Sequence, residues 1–376
     1  MSDNKVNSNI VIPAELLPRD GRFGSGPSKV RKEAVDALAG RWQDYLGTSH
    51  RQKTVKSVVG SLRRGLSELF SLPEGYEIVL ANGGASYFWD TAVFSLIERK
   101  SQHLSFGEFS SKFAASAKKA PFIEDPQIIA SEPGSHPLPE SNDEIDLYAL
   151  THNETSTGVA MEIRRPDGAK GLVAVDATSG AGGLMVDPTQ FDCYYFSPQK
   201  AFSSDGGLWL AAMSPAAIER ARSIASSGRY IPPALDLVTA IDNSLQDQTY
   251  NTPALATIFL MNEQVSWMLA NGGLAFSAGR SERSSSTVYA WAESSKFATP
   301  FVKDPAKRSK VVATIDFSDD IDAKLVAGTL RANGVVDTEP YRKLGRNQLR
   351  IAVFPSVDPE DVEKLVAAID YVVERL

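Results

Sequence analysis

One lysine in this chain stands in a setting that suits covalent chemistry. Lys200 follows the apolar run 193–196 and is followed by small and polar residues up to Gly207. A surface lysine needs no such setting, whereas a lysine amine held partly away from water has a lowered pKa and forms an imine with a carbonyl group. A lysine alone is weak evidence, so the prediction depends on the polar groups that accompany it.

A carboxylate precedes this lysine at the end of another apolar run. Asp176 ends the run 172–175, and burying a carboxylate at the end of a strand costs free energy unless a cation pairs with it. The protonated nitrogen of a pyridine ring is a suitable cation, and such a pair keeps the ring an electron sink. The alternative role for Asp176 is to cap the turn that follows it.

Two more polar clusters follow apolar runs in the same way. Residues 151–158 come after the run 145–150 and carry hydrogen-bonding side chains that suit a heteroaromatic ring with a hydroxyl group. Residues 82–86, Asn-Gly-Gly-Ala-Ser, precede a predicted helix at 87–98, where free backbone amides bind a phosphate without a lysine. A solvated loop and a simple chain reversal are the respective alternatives.

The order of these clusters along the chain predicts a site for pyridoxal 5′-phosphate. Ligands of open parallel sheets bind outside the carboxyl ends of the strands, and each cluster directly follows a predicted strand. Amides for a phosphate, hydroxyls for a ring substituent, a carboxylate for a ring nitrogen and a lysine for an imine all suit this cofactor.

Basic residues predict an anion site beside the cofactor. They fall in two short segments of an otherwise acidic chain, and the set is His50, Arg51, Arg342, Lys343, Arg346 and Arg350. Because arginine binds carboxylate and phosphate groups through two hydrogen bonds, we expect these residues to hold a dianionic substrate. A solvated basic face is the alternative for Lys343 and Arg346, whereas Arg350 interrupts a predicted strand.

The elements that position these residues follow an α/β pattern. Short apolar runs alternate with helical or loop stretches between residues 50 and 265, which predicts a mostly parallel sheet. The pattern then changes, with the segment 277–287 as a connection or a helix. The elements predicted after it are a strand at 311–317, a helix at 321–332, strands at 335–336 and 348–354, and a final helix.

The final helix has the clearest local signals in the sequence. Asp358 suits the N-cap, Pro359 suits the first helical position, and an acidic first turn precedes a single apolar stripe. A small α+β domain at the C-terminus follows from these elements.

Length and composition predict two domains with a crevice between them. The chain has 376 residues, 43% of them hydrophobic, which exceeds what one small core needs. We predict a loose N-terminal arm at 1–20 that lies over a partner subunit or stays mobile, a large cofactor-binding α/β domain at 21–268, and a small C-terminal α+β domain at 269–376.

Charge and cysteine content exclude several partners and compartments. The formal net charge of −7 argues against binding to nucleic acid, which requires a basic surface. The single cysteine, Cys193, cannot form an internal disulfide, and the N-terminus shows neither a signal peptide nor a membrane span. The sequence therefore predicts a cytoplasmic protein without nucleic-acid or membrane partners.

Other catalytic motifs are absent from the sequence. It contains no GxSxG, GxGxxG, GK[ST] or HExxH pattern, and its four histidines lack metal-ligand spacing. Cys193 lies inside an apolar strand, which favours a packed thiol over a nucleophile. We therefore predict no metal site.

At these residues the chain resembles the phosphoserine aminotransferases, a class V branch of the fold-type I pyridoxal-phosphate enzymes, and specifically their actinobacterial members. The shared motifs cover nearly the whole chain, and their order and identity together are specific. They lie at residues 22–27, 47–51, 82–86, 153–155, 176, 197–200, 250–253 and 349–350.

The resemblance implies a role for each cofactor residue. Lys200 would form the Schiff base, Asp176 would pair with the pyridine nitrogen, Thr155 would bind the ring hydroxyl, and Phe109 would stack on the ring. The residues implied at the cofactor phosphate are Gly84, Ala85 and Gln199, together with Asn251 and Thr252 from the other subunit of a homodimer.

The resemblance also implies the substrate residues. Arg350 would clamp the substrate α-carboxylate, and the other residues implied at the substrate are Ser25, His50, Arg51 and Arg342. Many bacterial relatives carry Gly and Arg where this chain has Ala85 and Ser86, and Trp where it has Phe109. The stacking role survives the last change because both residues are aromatic.

The implied reaction is reversible amino transfer between L-glutamate and the phosphorylated 2-oxo acid 3-phosphohydroxypyruvate, giving O-phospho-L-serine and 2-oxoglutarate in serine biosynthesis. The related phosphohydroxythreonine reaction of pyridoxine biosynthesis is a secondary hypothesis. A serine– or alanine–glyoxylate aminotransferase is the nearest alternative. A cysteine desulfurase is disfavoured by the lack of a cysteine in a C-terminal loop, and a non-catalytic anion-binding protein is disfavoured by the intact Lys200, Asp176 and Thr155.

Overall fold

Strands and helices alternate along residues 10–376, the part of the chain that the computed structural model describes. The strands are β1 (Glu77–Gly83), β2 (Ser101–Ser105), β3 (Gln127–Ala130), β4 (Leu147–Thr151), β5 (Asn153–Glu154), β6 (Val159–Ala160), β7 (Leu172–Asp176), β8 (Cys193–Phe196), β9 (Gly207–Met213), β10 (Ala298–Pro300), β11 (Val312–Phe317) and β12 (Gln348–Ala352). The helices are α1 (Lys32–Ala39), α2 (Lys53–Leu69), α3 (Ala85–Ser95), α4 (Glu108–Lys119), α5 (Pro215–Ala225), α6 (Leu237–Ser244), α7 (Leu255–Ala270), α8 (Gly273–Ser294), α9 (Ala323–Ala332) and α10 (Pro359–Val373).

The main sheet has seven strands in the order β1-β9-β8-β7-β4-β2-β3. Strands β8, β7, β4, β2 and β3 pair in parallel, and β9 runs antiparallel to both of its neighbours, β8 and β1. Strand β1 therefore runs in the same direction as β8. The predicted α/β class with a mostly parallel sheet is confirmed.

Helices cover both faces of this sheet, which explains why its central strands are apolar throughout. Strands β4, β7 and β8 are buried at every residue. Successive side chains of a strand point to opposite faces, so Val173 and Val175 pack in the core with α2 and α7, whereas Leu172 and Ala174 pack in the core with α3 to α6.

A second, antiparallel sheet of β10, β11 and β12 lies in the C-terminal part of the chain. Its apolar face packs against α8, α9 and α10 in a core of its own. Helix α10 begins at Pro359 with Asp358 at the N-cap, as predicted, but the Asp358 side chain makes no capping hydrogen bond. Its carboxylate instead accepts a hydrogen bond of 2.8 Å from Arg280.

Two local predictions differ from the structure, and of the two alternatives for the segment 277–287 the helix is the one observed. The segment 277–287 lies within α8, because its buried side chains pack against the C-terminal core. Val336 forms only an isolated bridge with Arg22, so residues 335–336 are not a strand of a sheet. Helix α3 begins at Ala85, earlier than the predicted 87, which places its first turn directly after the Gly-Gly pair.

The described part of the predicted N-terminal arm is not loose. Ile10 and Ile12 are buried in the C-terminal core, and the Ile12 amide donates a hydrogen bond of 2.9 Å to Asn333. These two side chains pack there because contact with the apolar residues of the C-terminal sheet and helices removes them from water. Residues 1–9 lie outside the described part, and the two-domain division with its boundary at residue 268 stays a prediction.

The direction of the strands brings the predicted functional clusters to one edge of the main sheet. Because β1, β4, β7 and β8 all run the same way, their carboxyl ends meet at this edge. The polar segments that follow these four strands are therefore neighbours in space. No helix within residues 10–376 has the length and apolar character needed to cross a membrane.

Candidate active site

A cavity of about 240 Å³ opens at this edge, and residues from all four polar clusters line it. Most of the predicted cofactor residues lie in its wall, namely Gly84, Ala85, Phe109, Thr155, Asp176, Gln199 and Lys200. The tertiary structure thus brings together segments that are widely separated along the chain, as the strand-end rule for parallel sheets predicts.

Lys200 lies in the loop after β8 with its amine directed at the N-terminal segment. Its Nζ donates a hydrogen bond to the backbone oxygen of Ser25, and Ser28 Oγ donates one to the Lys200 carbonyl. Gly26 has a φ of +135°, and a Cβ at this position would lie 2.1 Å from Lys200 Nζ. Only glycine therefore fits beside the lysine amine.

Burial and a nearby cation make Lys200 a better nucleophile than an ordinary lysine. Burial lowers the pKa of Lys200 to about 8, the charge of Arg350 lowers it as well, and Asp176 and Glu154 act in the opposite direction. A larger fraction of neutral amine is then present near neutral pH, which is the form that attacks a carbonyl carbon.

Asp176 ends β7 and is held by two hydrogen-bond donors. Trp89 Nε1 donates to Asp176 Oδ2 at 3.0 Å, and the backbone amide of Thr178 donates to Oδ1 at 3.0 Å. Burial raises the pKa of this carboxyl group, whereas Thr178, Trp89 and Tyr195 favour its ionised form. Among residues 10–376 no cationic side chain forms an ion pair with Asp176, so a cation in the cavity would complete its environment.

A small hydroxyl and amide network lies on the other side of the cavity. Thr155 Oγ1 donates to Ser179 Oγ at 2.7 Å, and Asn153 Nδ2 donates to the same oxygen at 2.9 Å. In the described chain the buried Asn153 Oδ1 has no hydrogen-bond partner. Since buried polar atoms are normally paired, this atom indicates that a polar ligand belongs in the cavity.

One end of the cavity is formed by the start of α3. Gly84 is the residue before this helix, and the first backbone amides of a helix have no partner within it. These amides and the positive end of the helix dipole favour a phosphate group. Gln199 lines the same cavity, and its side-chain amide group can donate hydrogen bonds to phosphate oxygens. The residues present therefore fit a phosphorylated pyridine cofactor.

Four other predicted residues lie together outside this cavity, namely His50, Arg51, Asn251 and Thr252. His50 Nδ1 and Thr252 Oγ1 are 3.2 Å apart, and Asn82 Nδ2 donates to the Thr252 carbonyl oxygen at 3.1 Å. Asn251 lines a neighbouring groove rather than the cavity of Lys200. Burial lowers the pKa of His50, and the adjacent Arg51 adds to this effect.

Arg350 and Arg342 belong to the C-terminal part of the chain. The Arg350 guanidinium carbon lies 5.3 Å from the centre of the Tyr341 ring, and its buried Nε has no hydrogen-bond partner in the described chain. Burial lowers the pKa of Arg350. Arg342 is exposed in the short helical turn Arg342–Leu344 and forms no ion pair within residues 10–376.

The other two basic residues of this segment already have acidic partners. Lys343 pairs with Glu108, and Arg346 binds Asp316 through both its Nε and its Nη2, the latter at 2.5 Å. These pairs explain both residues without a substrate. Arg342 and Arg350 are therefore the cations of this segment that are available to an anion.

The model of the aminotransferase class V family matches residues 22–338. The chain belongs to this family. A putative phosphoserine aminotransferase from Mycolicibacterium paratuberculosis is 62% identical over 366 residues, covering 97% of this chain and 98% of the relative. A phosphoserine aminotransferase from Nocardioides is 61% identical over 368 residues, covering 97% of this chain and 98% of the relative.

Solved structures agree with this assignment. A phosphoserine aminotransferase from Cytophaga hutchinsonii has a TM-score of 0.85 at 25% identity, covering 93% of this chain and 99% of the other. A phosphoserine aminotransferase from Bacillus circulans subsp. alkalophilus has a TM-score of 0.84 at 23% identity, covering 95% and 99%, and it shows the shared fold. The predicted enzyme class, a pyridoxal-phosphate-dependent aminotransferase, is confirmed.

Several residues of this class V aminotransferase site were not predicted as members. Trp89, Thr178 and Ser179 contact predicted members, and Gly26 gives space to the lysine amine. Trp89 lies in a helix whose sequence looks like any buried helix, so nothing in the sequence marks it. Thr178 and Ser179 follow Asp176 directly, and this adjacency is a signal that sequence analysis can use.

We expect Trp89→Phe to weaken cofactor binding by this aminotransferase roughly ten-fold. The variant loses a hydrogen bond to a charged group, and such bonds contribute about 1.5–3 kcal/mol. The measurement is a titration of pyridoxal 5′-phosphate into apoprotein, followed by visible absorption. Trp209→Phe is the matched control, because Trp209 is also buried but its indole N–H has no partner in the described chain. Equal losses of affinity in both variants would contradict this role for Trp89.

Proposed function

We propose that this chain transfers an amino group reversibly between L-glutamate and 3-phosphohydroxypyruvate, giving O-phospho-L-serine and 2-oxoglutarate. The observation that carries the proposal is the pairing of a Lys200–Asp176 cavity with Arg350 and Arg342, two arginines free to bind anions. The two curated relatives named phosphoserine aminotransferase, both more than 60% identical over nearly the whole chain, support this substrate class.

The cofactor residues have distinct tasks in this proposal. Pyridoxal 5′-phosphate, when bound, supplies an electron sink for the electrons released as the substrate Cα loses its proton. Asp176, whose ionised form is favoured by hydrogen bonds from Trp89 and Thr178, pairs with the ring nitrogen and so maintains that property. Thr155 orients the ring through its hydroxyl group, and Phe109 covers one face of the ring.

Lys200 moves the proton in this proposal. Its neutral amine would take the proton that the substrate Cα loses, and the protonated amine would then give this proton up to the cofactor, which supplies the electron sink. The lowered pKa of Lys200 suits a group that must both accept and release a proton near neutral pH. The same amine lies against the Ser25 carbonyl oxygen, which limits its motion to the region of the cavity.

Arginine side chains select the substrate. Arg350 is half-buried in β12 and has an unpaired Nε, so we infer that it binds the α-carboxylate common to both amino donors and both oxo acids. Arg342 and Arg51 then address the distal phosphate or carboxylate. Neither side chain forms an ion pair in the part of the chain that the structure describes. Ser86 supplies no charge in the place where many bacterial relatives carry arginine.

We propose that the enzyme is a homodimer with shared active sites. His50, Arg51, Asn251 and Thr252 form a group outside the cavity of their own chain, although the resemblance assigns them to the cofactor phosphate and the substrate. Tyr87 and Tyr250 line the groove beside this group and are 52% and 49% exposed. Exposed aromatic side chains at such a groove favour burial against a second copy of the chain.

The substrate assignment is tested by comparing two pairs of substrates. We expect kcat/KM for 3-phosphohydroxypyruvate with glutamate to exceed that for glyoxylate with alanine at least roughly ten-fold, since charged hydrogen bonds contribute about 1.5–3 kcal/mol each. Lys200→Ala should remove both the activity and the visible absorption of the bound cofactor. Faster turnover of glyoxylate would refute the proposed substrate.

A pair of arginine variants tests the anion end of the site. Arg342→Met should raise the KM for 3-phosphohydroxypyruvate roughly ten-fold, through loss of a charged contact, and leave the unfolding midpoint unchanged. Arg346→Met removes the same charge, but this residue is already bound by Asp316, so the KM should stay within about two-fold of the wild-type value. An equal rise in both variants would mean that only net charge matters.

Subunit complementation tests the shared site. Lys200→Ala and Arg51→Met subunits are each expected to be nearly inactive, whereas their co-expressed mixture should regain about a quarter of wild-type activity, because half of random dimers are mixed and each has one complete site. A mixture of Lys200→Ala with Asp176→Ala is the control, since both residues line the same cavity and no complete site can form. Recovery in the control alone, or in neither mixture, would exclude sites shared in this way.

A further inference from the structure

We propose that Glu154 is a positioning residue, which holds the first turn of α4 and thereby fixes the Phe109 ring against the cofactor. Glu154 does not line the cavity, so it has no direct contact with a ligand there. The inference rests on the proposed role of Phe109 as the ring that covers the cofactor.

Glu154 is fully buried and accepts hydrogen bonds from two segments of the chain. Its Oε2 accepts from the Phe109 amide at 3.1 Å, the Ser110 amide at 2.9 Å and Ser110 Oγ at 3.0 Å. Its Oε1 accepts from Ser156 Oγ at 2.7 Å and from the Ser156 amide at 3.2 Å. Within residues 10–376 no basic side chain forms an ion pair with this carboxylate, so these hydrogen bonds, together with the more distant charge of Lys200, offset its burial.

The donors on α4 are the ones that a helix start leaves free. Phe109 and Ser110 lie in the first turn of α4, where backbone amides have no partner within the helix. A carboxylate at this end also interacts favourably with the helix dipole. The residue before the helix, Gly107, makes no side-chain cap. Glu154 therefore performs from β5 the capping that α4 lacks locally.

Gly107 shows that Glu154 packs tightly against the start of α4. A Cβ at residue 107 would lie 2.3 Å from Glu154 Cγ and 2.7 Å from Ser156 Oγ. No side chain fits there without displacing the carboxylate. The glycine before α4 thus permits the approach of Glu154 to the helix.

The neighbours of Glu154 connect it to two sides of the cofactor site. Thr155 follows it in the chain and lines the cavity, while Phe109 on α4 lines the cavity from another side. One carboxylate therefore sets the distance between the hydroxyl that binds the ring edge and the aromatic group that covers the ring face. The Phe109 ring also contacts Tyr341, with ring centroids 6.1 Å apart. The position of Phe109 therefore also constrains a residue on the substrate side of the site.

The test uses a double-mutant cycle with cofactor retention as its readout. Glu154→Gln places an amide group opposite amide and hydroxyl donors, so we expect roughly ten-fold faster loss of cofactor on dialysis and a weaker visible circular dichroism band. Phe109→Leu should show a similar loss. The double variant should lose cofactor no faster than the worse single variant, because Glu154 acts through Phe109.

Asp192→Asn is the control for the loss of a buried carboxylate. Asp192 is buried and accepts hydrogen bonds from Val173, Arg165 and Ser214, but it precedes β8 and so lies at the opposite edge of the sheet from the cavity. This variant should lower the unfolding midpoint and leave cofactor retention and circular dichroism unchanged.

Two outcomes would overturn the positioning role. One is a multiplicative loss of cofactor in the double variant, and the other is a Glu154→Gln protein that is less stable but has the wild-type cofactor signal. Ser156→Ala is a milder second variant, should Glu154→Gln fail to fold, and its smaller loss should also vanish in the Phe109→Leu background. No substrate enters these measurements, so a wrong substrate assignment leaves them valid, whereas wild-type protein without cofactor would refute the proposed function as well.

Discussion

The site depends on one geometric constraint, which is that parallel strands present their carboxyl ends at a common edge. Strands β1, β4, β7 and β8 share a direction even though β9 separates β1 from β8, because two antiparallel pairings restore the original direction. Each strand delivers a different chemical group to the edge. A change in the direction of any of these strands would carry its polar cluster to the far side of the sheet.

Buried charge controls the chemistry at that edge. Lys200, Asp176 and Glu154 are withdrawn from water, and each departs from its ordinary pKa chiefly because burial disfavours its charged form. The donors around the carboxylates offset this effect, whereas the lysine has Arg350 nearby, which moves its pKa further down. The lysine amine can therefore be neutral near Asp176 and Glu154, while hydrogen-bond donors favour the charged form of both carboxylates.

The anion end of the site is built from side chains whose partners differ. Lys343 and Arg346 form ion pairs with Glu108 and Asp316, and the ion pair of Lys343 joins α4 to the C-terminal part of the chain. Arg342 directly precedes Lys343 in the sequence and forms no ion pair in the described chain. Pairing with acidic neighbours, rather than position along the sequence, therefore separates the cations with a structural role from those proposed to bind the substrate.

The sequence by itself determined the fold class, the strands that carry the site and the meeting of Lys200, Asp176 and the polar segments 82–86 and 151–158 at one edge, whereas the family resemblance singled out Thr155 and Gly84 within those segments. The sequence could do so because apolar periodicity and polar strand ends are local properties, and the strand-end rule converts them into proximity. The tertiary structure alone decided that Trp89 holds Asp176 and that Ile10 packs in the C-terminal core. It also decided which arginines are free. These facts depend on contacts between residues far apart in the chain, and side-chain direction and pairing over such separations leave no mark in local composition.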